Sequence, residues 1–258
     1  MLRTATTLLK QIVCFSRRLS GLDLCEGSAG NLSILLSEEE ISGWQHPESV
    51  PGSFVKLESR VGNLGGKYLL ISASGARLST LATDPESKLA LLEMDNSGSS
   101  YRVIWGLDKG GKPSSELMVH LLGHQALMTS RAPGRVLFHC HPLYAVTLSA
   151  ICSFTTEELT RLFWHFHTEG RAFFEEGAAA IKALAPGSME LATQTASLLS
   201  KHRYLLWERH GVIASGASLE ECLSLVEVSE KILRIAYLAT ANPHQSANLM
   251  NQVNKGYT

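Results

Sequence analysis

The run Arg135-Val136-Leu137-Phe138-His139-Cys140-His141-Pro142 carries an apolar stretch, then two imidazoles two residues apart, and stops at a proline. It reads as a buried strand. Side chains at i and i+2 of a strand share a face, so His139 and His141 project together and Cys140 points the other way. Pro142 cannot continue a central ladder, but it suits the first turn of a helix beginning around Leu143. The pair therefore sits at a strand end, where open α/β sheets keep their chemistry. Taken alone, the pair reads equally as two partly buried histidines satisfied by the backbone. A second strand-like run, 204–214, is interrupted by His210-Gly211 and offers a third imidazole to the same pocket. Three imidazoles and an open position are the donor set of catalytic zinc.

With 258 residues and no Pro/Gly/Ser-rich linker, the chain is expected to form one domain over 1–258. Its 45% hydrophobic and 18% charged residues suit a soluble globular protein with a sizeable core. A net charge of −1 argues against nucleic-acid or acidic-membrane partners, and no apolar run approaches the ~18–20 residues of a membrane span. The five cysteines form no CxxC pair, so reduced thiols and a cytoplasmic location are expected. Residues 1–22 lack acidic side chains and include Arg3, Lys10, Arg17 and Arg18, as a mitochondrial transit peptide does. The competing and preferred expectation is a folded helix, because Leu8, Leu9, Ile12, Val13, Phe15 and Leu19 roughly follow helical spacing and the run leads straight into a glycine loop. Residues 241–258 are polar and Asn/Gln-rich, either a disordered tail or a segment closing over the site.

That loop, Glu26-Gly27-Ser28-Ala29-Gly30-Asn31, precedes a strand; its glycines let backbone N–H groups converge, and Ser28 and Asn31 add donors. It suits an anion such as phosphate, or serves as a plain turn. Residues 37–66 read as an irregular excursion with one strand near Phe54-Val55. A strand from Tyr68 runs into Ser72, Ser74 and Gly75, a second small-residue loop that would complete the anion site or simply turn. Asn96-Ser97-Gly98 marks a hairpin. An amphipathic helix over 117–128 follows, with Ser114 or Ser115 as N-cap and Glu116 in its first turn, where a carboxylate complements the helix dipole. His120 and His124 are spaced to share a metal, but without HExxH a solvated helix face is the expected reading. Residues 156–174 read as one helix, on which His165 and His167 lie about 200° apart and cannot share a metal. Helices are also expected over 188–200 and 219–240.

In this order SAGNLS (28–33), ISASG (71–75), YRVIWG (101–106), SSEL (114–117), HCH (139–141), ERHG (208–211) and SGASLEE (215–221) resemble the class II aldolase family, and within it the branch acting on rhamnulose 1-phosphate. The likeness runs from about Ser28 to Ala239. It implies an α/β fold, a three-layer α/β/α domain with a mainly antiparallel central sheet. It further implies zinc-dependent retro-aldol cleavage of L-rhamnulose 1-phosphate to dihydroxyacetone phosphate and L-lactaldehyde, in a homotetramer with active sites between subunits. On this resemblance the zinc ligands fall on His139, His141 and His210, and the acid/base carboxylate on Glu116. The phosphate-binding positions fall on Gly30, Asn31, Ser74 and Gly75 with Ser115 nearby; Ser28 belongs to the same loop, where this branch often has asparagine. A second carboxylate, given by the adjacent subunit, matches Glu169. Family relatives leave three alternatives: cleavage of another ketose 1-phosphate such as L-fuculose 1-phosphate, epimerisation or dehydration of a sugar phosphate, and an adducin-like chain without activity. The last is disfavoured because all three histidines and Glu116 are present.

Overall fold

Every residue of Val136–Cys140, Tyr204–Trp207 and Gly211–Gly216 is buried. Strands covered on both faces require a helical layer on each side. The computed structural model describes residues 3–42, 44, 52–108, 110–130 and 134–240. Within these, the strands are β1 (Asn31–Leu35), β2 (Val55–Lys56), β3 (Tyr68–Ser72), β4 (Leu89–Met94), β5 (Ser100–Gly106), β6 (Val136–Cys140), β7 (Ala179–Ile181), β8 (Tyr204–Trp207) and β9 (Gly211–Gly216). They form one sheet in the order β2-β5-β4-β3-β1-β6-β9-β8-β7, antiparallel throughout except for β7 beside β8. The helices are α1 (Arg3–Leu19), α2 (Glu38–Ser42), α3 (Pro85–Lys88), α4 (Leu117–Leu127), α5 (Leu143–Ile151), α6 (Thr156–Phe166), α7 (Glu169–Phe173), α8 (Met189–Leu199) and α9 (Leu219–Thr240).

Period-two alternation divides the core. Leu32, Ile34, Val136, Phe138, Cys140, Leu206, Val212 and Ala214 face a cluster closed by α1, α5, α6 and α9. Leu69, Ile71, Leu137, Leu205, Trp207 and Ile213 face the opposite cluster, closed by α4 and α8. The architecture is thus a three-layer α/β/α sandwich on a mostly antiparallel sheet, as the resemblance implies. Cys140 lies on the first face, opposite the side to which Leu137 and His139 point.

The N-terminal segment is part of this core. Leu8, Ile12, Phe15 and Leu19 of α1 are buried, and the Phe15 ring meets Phe138 of β6 edge-on at 5.0 Å. Four such side chains contribute roughly 1.5–3 kcal/mol each on a transfer scale. Arg18 pairs with Glu220 and, at 2.6 Å, with Glu227 of α9, so one of its basic residues has a structural partner. No described helix is long and apolar enough to cross a membrane.

Elsewhere the structure departs from the sequence reading. The expected helix over 156–174 is two helices, because the chain is extended at His167 (φ −154°, ψ 135°) and the Glu169 amide donates to His167 Nδ1 at 3.1 Å. The run 204–214 is a hairpin rather than an interrupted strand, β8 pairing antiparallel with β9. The 37–66 excursion contains α2 and the short β2; residues 43 and 45–51, like the tail 241–258, lie outside the described residues. His120 and His124 are fully buried, not on a solvated helix face.

Candidate functional site

The middle of the sheet builds the site. Asn31 of β1 pairs with His139 of β6, and His139 pairs with Ile213 of β9, so three adjacent strands converge at one end. His141 lies just past β6 and His210 in the turn that begins β9. In that turn the His210 amide donates to Trp207 O at 3.0 Å, and Arg209 takes φ +59° while its amide donates to Ser149 Oγ at 2.9 Å. A non-glycine residue in the left-handed region beside a candidate ligand is strain of the kind held at functional sites. Gly211 is required by space: a Cβ there would lie 2.4 Å from Cys140 O and 2.7 Å from His141 Cδ2. Gly211→Ala is therefore expected to displace the His141 ring and weaken metal affinity about 10- to 100-fold, the range seen when a ligand loses its orientation. A competition titration against a chromophoric chelator measures this.

The ligand atoms of His139, His141 and His210 all lie within 4.8 Å of one another. His139 Nδ1–H donates to Val212 O at 2.8 Å, and His141 Nδ1–H donates to Glu26 Oε1 at 2.8 Å. Both rings therefore turn Nε2 inward, and these nitrogens are 3.2 Å apart. Burial pushes the pKa of His139 down to about 3 and that of His210 to about 4, with the neighbouring imidazoles adding to the effect. Nitrogens that close repel each other's lone pairs unless a proton or a metal cation sits between them. The arrangement fits a metal ion: three nitrogen donors, a carbonyl and a carboxylate fixing two tautomers from behind, and an acidic group alongside.

That acidic group is Glu116, which is 4% exposed. The structure places it at the N-cap of α4 rather than in the first turn, with its amide donating to Ser114 Oγ at 3.2 Å. Its Oε2 lies 3.6 Å from His139 Nε2 and accepts from Asn31 Nδ2 at 2.8 Å. Its Oε1 lies 3.7 Å from His210 Nε2 and has no hydrogen-bond partner although buried. A buried carboxylate oxygen left unpaired in that position is costly unless a cation or a transferable proton belongs there.

The small-residue loops gather at the same end. Gly30 has φ +81°, and a Cβ on it would lie 2.8 Å from His139 O. The Leu32 amide donates to Ser72 Oγ at 3.2 Å, the Ser74 amide to Lys112 O at 2.8 Å and the Ser114 amide to Ser72 O at 3.0 Å. These bonds bring the loops around Gly30, Ser74-Gly75 and Ser115 together, with Ser28, Ser74, Gly75 and Ser115 all exposed. Asn31 differs from the others, since its side-chain amide is committed to Glu116 and His120. Glu169 is exposed on α7, and among the described residues no hydrogen bond or ion pair ties it to Glu116 or the three histidines. The sequence reading gave no role to Glu26, Ser33, His120 or His124. A polar residue two positions after Asn31 in an apolar strand was the available signal for Ser33, and for Glu26 an acid flanking the glycine loop.

Comparison with known proteins agrees with this geometry. Residues 10–237 match the family model described as Class II Aldolase and Adducin N-terminal domain. The rhamnulose-1-phosphate aldolase of Yersinia pseudotuberculosis serotype IB (strain PB1/+) is 32% identical over 216 residues, covering 81% of this chain and 77% of that protein. Among solved structures, a sugar-phosphate aldolase from Thermotoga maritima superposes with a TM-score of 0.73 at 28% identity, over 97% of this chain and 96% of that one. The L-fuculose-1-phosphate aldolase from Thermus thermophilus shares the fold, with a TM-score of 0.58 at 22% identity over 90% and 93% of the two chains.

Proposed function

Given that the chain belongs to the family of class II aldolases and adducin N-terminal domains, close to rhamnulose-1-phosphate aldolase, we propose that it cleaves L-rhamnulose 1-phosphate to dihydroxyacetone phosphate and L-lactaldehyde. It is a lyase of the aldolase type, with sugar phosphates as its substrate class. The observation that carries the reading is the unpaired Oε1 of Glu116 beside three inward-facing imidazoles. Zinc held by His139, His141 and His210 would supply Lewis-acid stabilisation of the negative charge that develops on the C2 oxygen.

The chain's own residues account for the protons. Breaking C3–C4 turns the C4 hydroxyl into an aldehyde with loss of its proton, and leaves an electron pair on the three-carbon fragment that must be protonated at C3. Glu116, buried and within reach of the centre, would carry that proton as the bond breaks and hand it to C3, and solvent would return to it the equivalent of the C4 proton before the next turnover. Glu169 of an adjacent subunit is assigned to the C4 hydroxyl, consistent with its exposure on its own chain. The phosphate is held by the loops of Ser28, Gly30, Ser74, Gly75 and Ser115, so its remote binding energy orients the reacting carbons. Asn31 serves the carboxylate rather than the phosphate through its side chain. The assembly is a cytoplasmic homotetramer of one-domain subunits; exposed Leu143 and Ile151 on α5, the helix that begins beside His141, suit burial against another copy.

The test is cleavage of L-rhamnulose 1-phosphate, followed by reduction of the dihydroxyacetone phosphate released, alongside L-fuculose 1-phosphate and with chelator. Preference for the rhamnulose ester, loss with chelator and recovery with zinc are expected. Bound zinc without cleavage of either ester would remove the substrate assignment.

A further inference from the structure

Behind Glu116 the buried polar side chains stand in single file. Asn31 Nδ2 donates to Glu116 Oε2 at 2.8 Å, and His120 Nε2 meets Asn31 Oδ1. Ser33 Oγ lies 2.6 Å from His120 Nδ1 and 2.7 Å from His124 Nε2. Ser33, His120 and His124 are fully buried, and Asn31 is 8% exposed. The file exists because two periods mesh: Asn31 and Ser33, at i and i+2, share the α4-facing side of β1, while His120 and His124, at i and i+4, share one face of α4.

Glu116 Oε2 accepts from Asn31 Nδ2, so that end of the file sets the direction of every bond. Asn31 must turn its NH2 to Glu116 and its carbonyl to His120. His120 then carries its proton on Nε2 and accepts from the Ser33 hydroxyl at Nδ1, and the Ser33 oxygen accepts from His124 Nε2–H. One polarity satisfies all these contacts, leaving His124 Nδ1 at one end and Glu116 Oε1 at the other without a partner. Burial lowers the pKa of both imidazoles, that of His124 to about 3, so both are neutral at pH 7, as this polarity needs. A neutral amide does not pass a proton along, so the file orients and does not conduct. Four polar groups buried between a strand and a helix are also a poor choice for packing alone, since apolar residues fill such space without the desolvation cost.

We propose that Ser33, His120 and His124 are positioning residues for Glu116: the file locks the Asn31 amide in the orientation that donates to Oε2, and so holds the carboxylate against the three-histidine centre with Oε1 free. The inference rests on the reading of Glu116 as the proton carrier of an aldolase. Neither hydroxyl nor ring touches the reacting atoms.

The test compares wild type with Ser33→Ala, Ser33→Thr and His124→Gln by kcat, KM, bound zinc and thermal unfolding, with crystal structures of wild type and Ser33→Ala. Ser33→Ala and His124→Gln are expected to lower kcat on the order of 10- to 100-fold, the effect of a misplaced catalytic group, with KM and zinc content nearly unchanged. Ser33→Thr, which keeps the hydroxyl, restores most of the rate, and the Ser33→Ala crystal shows Asn31 or Glu116 rotated. Unchanged kcat in Ser33→Ala and His124→Gln, with only a lower unfolding temperature, would overturn the proposal. If wild type cleaves no ketose phosphate, the functional reading fails separately, and an unmoved Asn31–Glu116 pair in the Ser33→Ala crystal still overturns the positioning role.

Discussion

Glu116→Gln is expected to lower kcat by about 10²- to 10⁴-fold, the usual contribution of a positioned proton carrier, while the protein folds normally and keeps its metal. Glutamine has nearly the same shape and can still accept from Asn31 Nδ2, so the 2.8 Å contact that anchors the side chain survives. What it cannot do is give up a proton and take it back. With the substrate assigned to the exposed loops and a metal at the three histidines, KM is expected to change little. Zinc content, kcat and unfolding temperature measured on the same preparation separate the outcomes. A variant that keeps more than about a tenth of the wild-type rate would show that another group carries the proton, because such a loss is below what removing a general acid causes.

His210→Ala is the second large effect. His210 sits in the turn between β8 and β9, outside the paired strands, so removing its ring should leave the sheet intact. The two remaining imidazoles no longer enclose the ion, and affinity should fall by more than about 100-fold, beyond the loss that follows from disturbing an orienting partner. Cleavage disappears with the metal, and added zinc does not bring it back at concentrations that restore chelated wild type. Zinc should also cease to raise the unfolding temperature, since stabilisation by a ligand follows its occupancy. Persistence of that rise in His210→Ala would place the metal elsewhere.

The elements that could be read from sequence were those whose cause is local. The alternation in 135–141 put His139 and His141 on one side and Cys140 on the other, and both the hairpin at Gly98 and the helix Leu219–Thr240 follow from short-range signals. The start of α6 is closed by a capping box of Thr155 and Glu158, a cause that is equally local. What failed depended on distant partners. His120 and His124 looked like a solvated face because nothing in their own helix reveals that Ser33, in another strand, waits opposite. The break between α6 and α7 comes from His167 accepting an amide and from Gly170 lying so close to Phe163 O that a Cβ would sit 2.1 Å away, neither of which alters the apolar period. The turn before β9 escaped because its left-handed residue is Arg209 rather than glycine. Asn31 reads as part of a phosphate loop by its neighbours, and nothing local reveals that its side chain also bonds Glu116 and His120.

The meeting of β1, β6 and β9 at the site has a consequence for how the molecule acquires its metal. These strands are neighbours in space but far apart along the chain. Closing such long loops is slow and must precede any arrangement of three histidines and a carboxylate. An ion held by His139, His141 and His210 would therefore meet a sheet already assembled and tie together its middle rather than an edge. Withholding metal is accordingly expected to leave a folded but looser protein, able to recover by simple uptake, instead of a pool of unfolded chains.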